Sequence, residues 1–346
     1  MDGFANFFSE TAYDNFPPEI ANLIKTGNFN ATQIRYLKKI PWGNTESPEI
    51  DIVYAKETLE ASHYGMQPIK DQILRYIACQ KHLGLSYGDV LLLVGPPGVG
   101  KTSIAESIAI AMKRKFFKIS LAGMSDAGPL RGYDTNYQSP KPGRIVEGII
   151  QTGTFSPLIL LDEIDKMGSS SNNGDPAYVL LDILDSNRSR FIDDLISVPI
   201  DLSNIVFVAT ANSLQALSPI LLNRLEIIKL KGYTREEKII IANKYLIPSL
   251  IKDYRIEDLG VEFTKELIEY IIDNHAHEPG IRALKRLLKL AIESVITETY
   301  LGNTVSSKIS IAEFNRLTHN DSELEKKLPN KNVSKRKKLK IPLNYD

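Results

Sequence analysis

Residues 90–102, VLLLVGPPGVGKT, decide the fold of this chain. Val90 to Val94 are apolar at every position, the pattern of a strand covered on both faces. Gly95, four further residues and then Gly100-Lys101-Thr102 complete the spacing of a phosphate-binding loop. Glycines let the backbone curl so that its N–H groups face phosphate oxygens. In such a loop the lysine reaches the β- and γ-phosphates, and the threonine hydroxyl holds Mg²⁺. Gly95, Pro96, Pro97, Gly98, Val99, Gly100, Lys101, Thr102 and Ser103 are therefore the candidate nucleotide-binding set, with Thr102 a candidate metal ligand. Ile104, Ile108, Ala111 and Met112 then recur at helical spacing. That helix would point the positive end of its dipole at the phosphates. Strand, loop and helix in this order imply a bound nucleoside triphosphate.

The 346 residues leave room for two ordinary domains. Apolar residues make up 43% and charged residues 24%, as in a globular protein that works in water. Lys+Arg and Asp+Glu both number 42, so the chain as a whole is no polycation built to coat nucleic acid. Its one cysteine, Cys79, excludes an internal disulfide and fits a reducing compartment. No apolar run reaches the roughly 18 residues of a membrane span, and the acidic opening MDGFANFFSETAYD does not read as a leader. A cytoplasmic location is expected, with the nucleus as the alternative.

Working outward, a short helix is expected over 31–40 and a longer one over 69–82, with Ile69, Ile73, Tyr76 and Ile77 on one side. Strand-like runs follow at 90–94, 116–120, 158–162, 205–210 and 226–230, with helical segments between them. Alternating strands and helices predict an α/β fold, a parallel doubly wound sheet with its ligand at the carboxyl ends of the strands. After about 233 the strand pattern stops, and 234–247, 264–274 and 281–300 read as helices. The last carries an apolar stripe of Ile281, Leu284, Leu288, Ala291, Ile292, Val295 and Ile296. The expected organisation is a linker at 1–58, a nucleotide-binding domain at 59–232, a small helical lid at 233–305 and a mobile basic tail at 306–346.

The second chemical element is LILLDEIDK at 158–166, an apolar strand closed by two carboxylates. Asp162 suits Mg²⁺, directly or through water, and Glu163 suits the general base that polarises an attacking water. Asn212 closes the apolar strand at 205–209, where an amide could bond the water or the γ-phosphate; turn chemistry alone also accounts for it. Arg224 sits just before the last strand, and Arg282 opens the final long helix. An arginine aimed at a γ-phosphate is worth about 10³–10⁵ in rate. Spacing alone leaves both open to a reading as surface arginines.

Together these residues resemble the ATPase module of the Lon proteases, a branch of the AAA+ superfamily. The resemblance runs from YLKKIPWGN (36–44) to about residue 300, through HYGM (63–66), ISLAGMSDAGPLRGY, PGRI (142–145), LLDEIDKMG, GDPAYVLLDILD, VPIDLSNIVFVATAN, LLNRLEIIKLKGYT and PGIRALKR. It implies an AAA+ α/β domain with a helical lid, ATP and Mg²⁺ as ligands, and a ring, usually a hexamer. Lys101 and Thr102 match the Walker A positions, Asp162 and Glu163 the Walker B pair, and Asn212 the sensor-1 residue. Arg224 matches the finger offered to a neighbouring subunit, and Arg282 the sensor-2 arginine. His63, Tyr64 and Gly65 match the segment beside the adenine. The loop 132–142 corresponds to the pore loop, with Tyr137 at the aromatic position that grips an extended polypeptide.

Gln138 stands where the family usually has an aliphatic residue. The matched segment begins near residue 33, which leaves no room for the large N-terminal region, and nothing after 300 resembles the serine–lysine peptidase. The expected function is therefore an ATPase that remodels or threads protein substrates, with any proteolysis left to a separate peptidase. Two alternatives remain: a regulatory subunit joining a related ring, and a nucleic-acid motor on the same fold, which the neutral charge disfavours and the KRKK run at 335–338 keeps open. No membrane or nucleic-acid partner is expected.

Overall fold

The computed structural model describes residues 16–84, 90–168, 174–184, 186–304 and 306–318. The acidic opening segment and the KRKK run lie outside them. By contact density the chain divides into one unit of residues 1–240 with 278–282, and a second of 241–277 with 283–346.

In the first unit, α1 (Pro18–Thr26), α2 (Ala31–Leu37), α3 (Ile52–Ser62) and α4 (Gln67–Leu83) precede the sheet. The sheet region then runs β1 (Val90–Val94), α5 (Lys101–Ala111), β2 (Phe116–Ser120), α6 (Gly128–Arg131), α7 (Arg144–Thr152) and β3 (Leu158–Asp162). It continues with α8 (Pro176–Leu184), β4 (Phe191–Ile192), β5 (Pro199–Ile200), β6 (Val206–Ala211), α9 (Pro219–Leu222), β7 (Leu225–Lys229) and α10 (Arg235–Ile241), which crosses the boundary between the units. The five long strands form one parallel sheet in the order β2-β3-β6-β1-β7.

Strand alternation divides the core in two. Leu91, Leu93, Leu158, Leu160, Val206 and Val208 pack with Ala55 and Leu59 of α3, Ile73 and Ile77 of α4, and Ile104 and Ile108 of α5. Leu92, Ile119, Ile159, Leu161, Phe207 and Ala209 face the other way, onto Ile145 and Ile149 of α7 and Leu180 and Ile183 of α8. A parallel sheet covered on both faces explains why its strands read as unbroken apolar runs. The doubly wound α/β class expected from the sequence is the class observed.

The second unit contains a π-helical turn (Ala242–Leu246), α11 (Ile247–Tyr254), β8 (Glu262–Phe263), α12 (Lys265–His275), α13 (Arg282–Tyr300, whose first residue belongs to the first unit), β9 (Lys308–Ile309) and α14 (Ile311–Thr318). Leu284, Leu287, Leu288, Ala291, Ile292 and Val295 form the buried stripe of α13. Two expectations need correction here. The strand pattern does not stop at 233, because β8 and β9 pair in parallel. Nor is 306–318 tail: Ile309, Phe314 and Leu317 are buried, which fixes β9 and α14 in the unit. Helix α3, with Asp51 accepting from Val53 N and Tyr54 N at its start, was not expected from the sequence.

Candidate functional site

The loop after β1 is closely packed by its neighbours. A methyl group on Gly95 would lie 2.5 Å from Leu230 O, and Gly98 and Gly100 have φ of +78° and +96°, the left-handed region open to glycine. Lys101 is the first residue of α5 and is 9% exposed. Its Nζ donates to Gly95 O at 2.6 Å, Pro96 O at 3.0 Å and Asn212 Oδ1 at 2.8 Å. All three ammonium donors are thus in use. Burial pushes the Lys101 pKa down; of the carboxylates opposing that, Asp165 acts most strongly, ahead of Asp162 and Glu163.

Sheet order explains how the remaining groups meet. β6 lies between β1 and β3, so its carboxyl end touches both the loop and the acidic pair. Asp162 ends β3; its Oδ1 accepts from Thr210 Oγ1 at 2.6 Å and from Thr102 Oγ1 at 3.4 Å, while Oδ2 pairs with Lys118 Nζ at 2.6 Å. Burial pushes the Asp162 carboxyl up, but the hydrogen bonds from Lys118 and Thr210 outweigh it and hold the group below its ordinary range. Glu163 follows with φ +61°, unusual for a non-glycine residue. Its N–H donates to Thr210 Oγ1 at 2.9 Å, and its carboxylate is paired with Lys166. Asp165 Oδ2 accepts from Asn212 N at 3.0 Å and Ser213 N at 3.2 Å.

His63 bonds Ser103 Oγ through Nε2 and Ser62 Oγ through Nδ1, both at 2.9 Å, and burial then the Lys70 charge push its pKa down to about 4. Tyr64 and Gly65 follow it directly, Gly65 with φ +64°. The Pro279–Arg282 segment meets the loop within the same unit: Ile281 N donates to Gly98 O at 3.0 Å, and a methyl on Gly98 would lie 3.1 Å from Arg282 Cβ. Tyr233 adds a bond from its hydroxyl to Val99 O at 2.9 Å.

Arg224 is not brought to this site. It precedes β7, and its carbonyl accepts from Val90 N at the amino edge of the sheet. The loop leaves β1 at the carboxyl edge, about 16 Å away for a five-residue strand. The segment 132–142 is closed by reciprocal backbone bonds between Tyr133 and Lys141. Tyr137 is 50% exposed with its ring 5.1 Å from that of Tyr133, and Gln138 beside it is exposed. The base of the segment rests on Asp193, which is fully buried and accepts from Gly143 N, Leu195 N and Ile196 N.

Sequence reasoning passed over Thr210, Lys118, Asp165 and Tyr233. The signal for the first two was a polar side chain on an otherwise apolar strand; for Asp165 it was a third carboxylate in DEID.

The residues present fit ATP with Mg²⁺. Thr102 and Asp162 bring two hard oxygens together, and Mg²⁺ is usually held by one or two carboxylates plus phosphate oxygens rather than by a protein cage. No cluster of three or more His, Cys, Asp or Glu able to hold a metal occurs among the described residues.

Residues 91–233 match the family model described as "ATPase family associated with various cellular activities (AAA)". The chain is 44% identical over 252 residues to the mitochondrial Lon protease homolog of Saccharomyces cerevisiae, covering 72% of this chain and 22% of that protein. It is 43% identical over 269 residues to the Lon protease of Clostridium acetobutylicum, covering 77% and 34%. Against the peroxisomal Lon protease homolog 2 of Oryza sativa subsp. indica it is 43% identical over 259 residues, covering 74% and 29%. The chain thus spans about a fifth to a third of the length of these relatives. A solved structure, the Holliday junction branch migration motor RuvB of Thermotoga maritima, aligns at 18% identity and TM-score 0.49, over 76% of this chain and 73% of that one.

Proposed function

Because this chain carries an AAA+ ATPase module of the Lon type, we propose that it hydrolyses ATP as one subunit of a ring, usually a hexamer, and uses the cycle to pull or remodel polypeptide. The observation that carries this is the meeting of Lys101, Asp162, Glu163, Thr210 and Asn212 at the carboxyl ends of three adjacent strands.

When bound, Mg²⁺ supplies charge neutralisation at the β- and γ-phosphates. Thr102 and Asp162 would hold it. The loop N–H groups and Lys101 would bind the phosphates, and His63, Tyr64 and Gly65 would border the adenine. Glu163 takes the proton of the attacking water, and its fixed left-handed backbone aims it. Asn212 orients the same water. Arg282, beside Gly98, reports the γ-phosphate to the helices that follow it in sequence. Arg224, at the far edge of its own sheet, serves the neighbouring copy. Tyr137 presents a rigid ring to an extended chain, a contact that tolerates any sequence; Gln138 beside it weakens the apolar part of that grip.

No helix among the described residues is long and apolar enough to cross a membrane. We place the protein in the cytoplasm; relatives named mitochondrial and peroxisomal make those the compartments that a fluorescent fusion must distinguish. No peptidase step is assigned to the described residues.

The test is ATP turnover with and without unfolded casein, in wild type and Tyr137→Ala. Casein should stimulate wild type and fail to stimulate the variant, whose basal rate stays unchanged. Equal stimulation of both would remove Tyr137 from the reading. Stimulation by DNA in place of casein, falling steeply with salt, would replace the polypeptide substrate with nucleic acid.

A further inference from the structure

Asp165 is a carboxylate for which the roles above have no use, yet its bonds lead directly to them. It lies in the short 3-10 turn after β3, and its Oδ2 accepts from the backbone N–H groups of Asn212 and Ser213. Its Oδ1 is buried without a hydrogen-bond partner. Asn212 in turn accepts from Lys101 Nζ at its side-chain Oδ1. Asp165, Asn212 and Lys101 thus form one line from the end of β3, across the end of β6, to the phosphate loop.

A neutral asparagine or serine could cap the turn at 212–213. Leaving a buried charged oxygen unpartnered is costly, so capping alone does not account for the carboxylate. The donors of Lys101 offer a reason. In this structure they go to Gly95 O, Pro96 O and Asn212 Oδ1. A γ-phosphate must draw Lys101 away from these oxygens, which frees the Asn212 amide. The amide serves hydrolysis only if the Asn212 backbone stays in place through that exchange.

We infer that Asp165 is a positioning residue for hydrolysis: it clamps the Asn212 backbone, so that the amide released by Lys101 stays aimed at the γ-phosphate and the attacking water. This rests on the reading of the site as an ATPase. Asp165 touches neither phosphate nor water; it acts through Asn212. Loss of the clamp should slow turnover and leave nucleotide affinity nearly intact.

The experiment is a double-mutant cycle in the full chain, with Asp165→Ala, Asn212→Ala and the pair, read as kcat, KM and affinity for a fluorescent ADP. Asp165→Ala is expected to lower kcat at least tenfold with ADP affinity within about threefold, and to cost nothing further once Asn212 is alanine. Asp165→Asn, which keeps one acceptor for the two N–H groups, should recover part of the rate. Additive losses in the cycle, or a tenfold loss of ADP affinity, would overturn the inference. Amide exchange of nucleotide-free protein supplies a readout without turnover: Asn212 and Ser213 should exchange at least tenfold faster in Asp165→Ala while β1 and β3 stay protected. Unchanged exchange at those two amides would equally overturn it. A wild type that binds ATP and never hydrolyses it would sink the ATPase reading instead, leaving the exchange arm to decide the clamp.

Discussion

The hydroxyl of Thr210 donates to Asp162 Oδ1 over 2.6 Å while accepting the backbone N–H of Glu163 over 2.9 Å. One side chain therefore fixes both the carboxylate assigned to the metal and the backbone of the proposed base. Left-handed backbone costs a non-glycine residue on the order of 1–3 kcal/mol and persists only where neighbours hold it. Thr210→Val keeps the shape and removes both bonds. It should cost about 1–3 kcal/mol in urea unfolding and at least tenfold in kcat, while Thr210→Ser stays near wild type in both. A valine variant with normal turnover would detach Thr210 from the site.

Gly280 is expected to govern nucleotide affinity from outside the loop. A methyl group there would lie 2.4 Å from Pro97 O and 2.5 Å from Gly98 C, both backbone atoms that cannot step aside cheaply. Gly280→Ala should weaken fluorescent ADP binding at least tenfold, and the sheet should melt within a few degrees of wild type. Unaltered binding would show that the 279–282 segment does not brace the loop.

Asp193, which is buried, and His63, which is half-buried, should give opposite pH signatures in stability. Burial pushes Asp193 up to about 7 against three backbone donors. The folded state then binds more protons than the unfolded chain between pH ~4 and ~7, so this group's contribution falls as pH rises through that window. His63, pushed down to about 4 by burial and then Lys70, behaves oppositely. Its contribution is complete above pH ~6.5 and is lost as pH falls toward 4. Relative to wild type, Asp193→Asn should gain stability as pH rises from 4 to 7, and His63→Gln should gain it as pH falls from 6.5 to 4. Urea midpoints at four pH values would measure both, and parallel curves for all three proteins would contradict both assignments.

Much of the nucleotide site was legible because it is made of local pattern. An all-apolar strand, a glycine-spaced loop and a helical stripe are adjacent in sequence, and each of the five sheet strands lies within a residue of its expected place. What escaped was set by non-local packing. Nothing local says that β6 lies between β1 and β3, so Thr210 and Asp165 had no visible partners. Helix α3 carries only two fully buried residues, Ala55 and Leu59, and its polar remainder reads as linker. In the helical unit, α14 was lost in a polar stretch although Ile311, Phe314 and Leu317 recur at three-residue spacing.

The loop at 132–142 should depend on its anchor. A methyl on Gly143 would lie 2.0 Å from Leu130 O, and Gly143 N is bonded to Asp193 Oδ2. Gly143→Ala should abolish casein stimulation while basal turnover stays within about twofold. Retained stimulation would mean that the loop does not carry the substrate contact.

The central claim is hydrolysis by an assembled ring with a base in each subunit and an arginine from its neighbour. It is tested most directly by ATP turnover against protein concentration in wild type, Glu163→Gln and Arg224→Ala. Turnover per subunit should rise with wild-type concentration. It should fall by about 10²–10⁴ without the base and by about 10³–10⁵ without the finger, while both variants still bind nucleotide. Turnover that ignores concentration and survives either substitution would contradict the account.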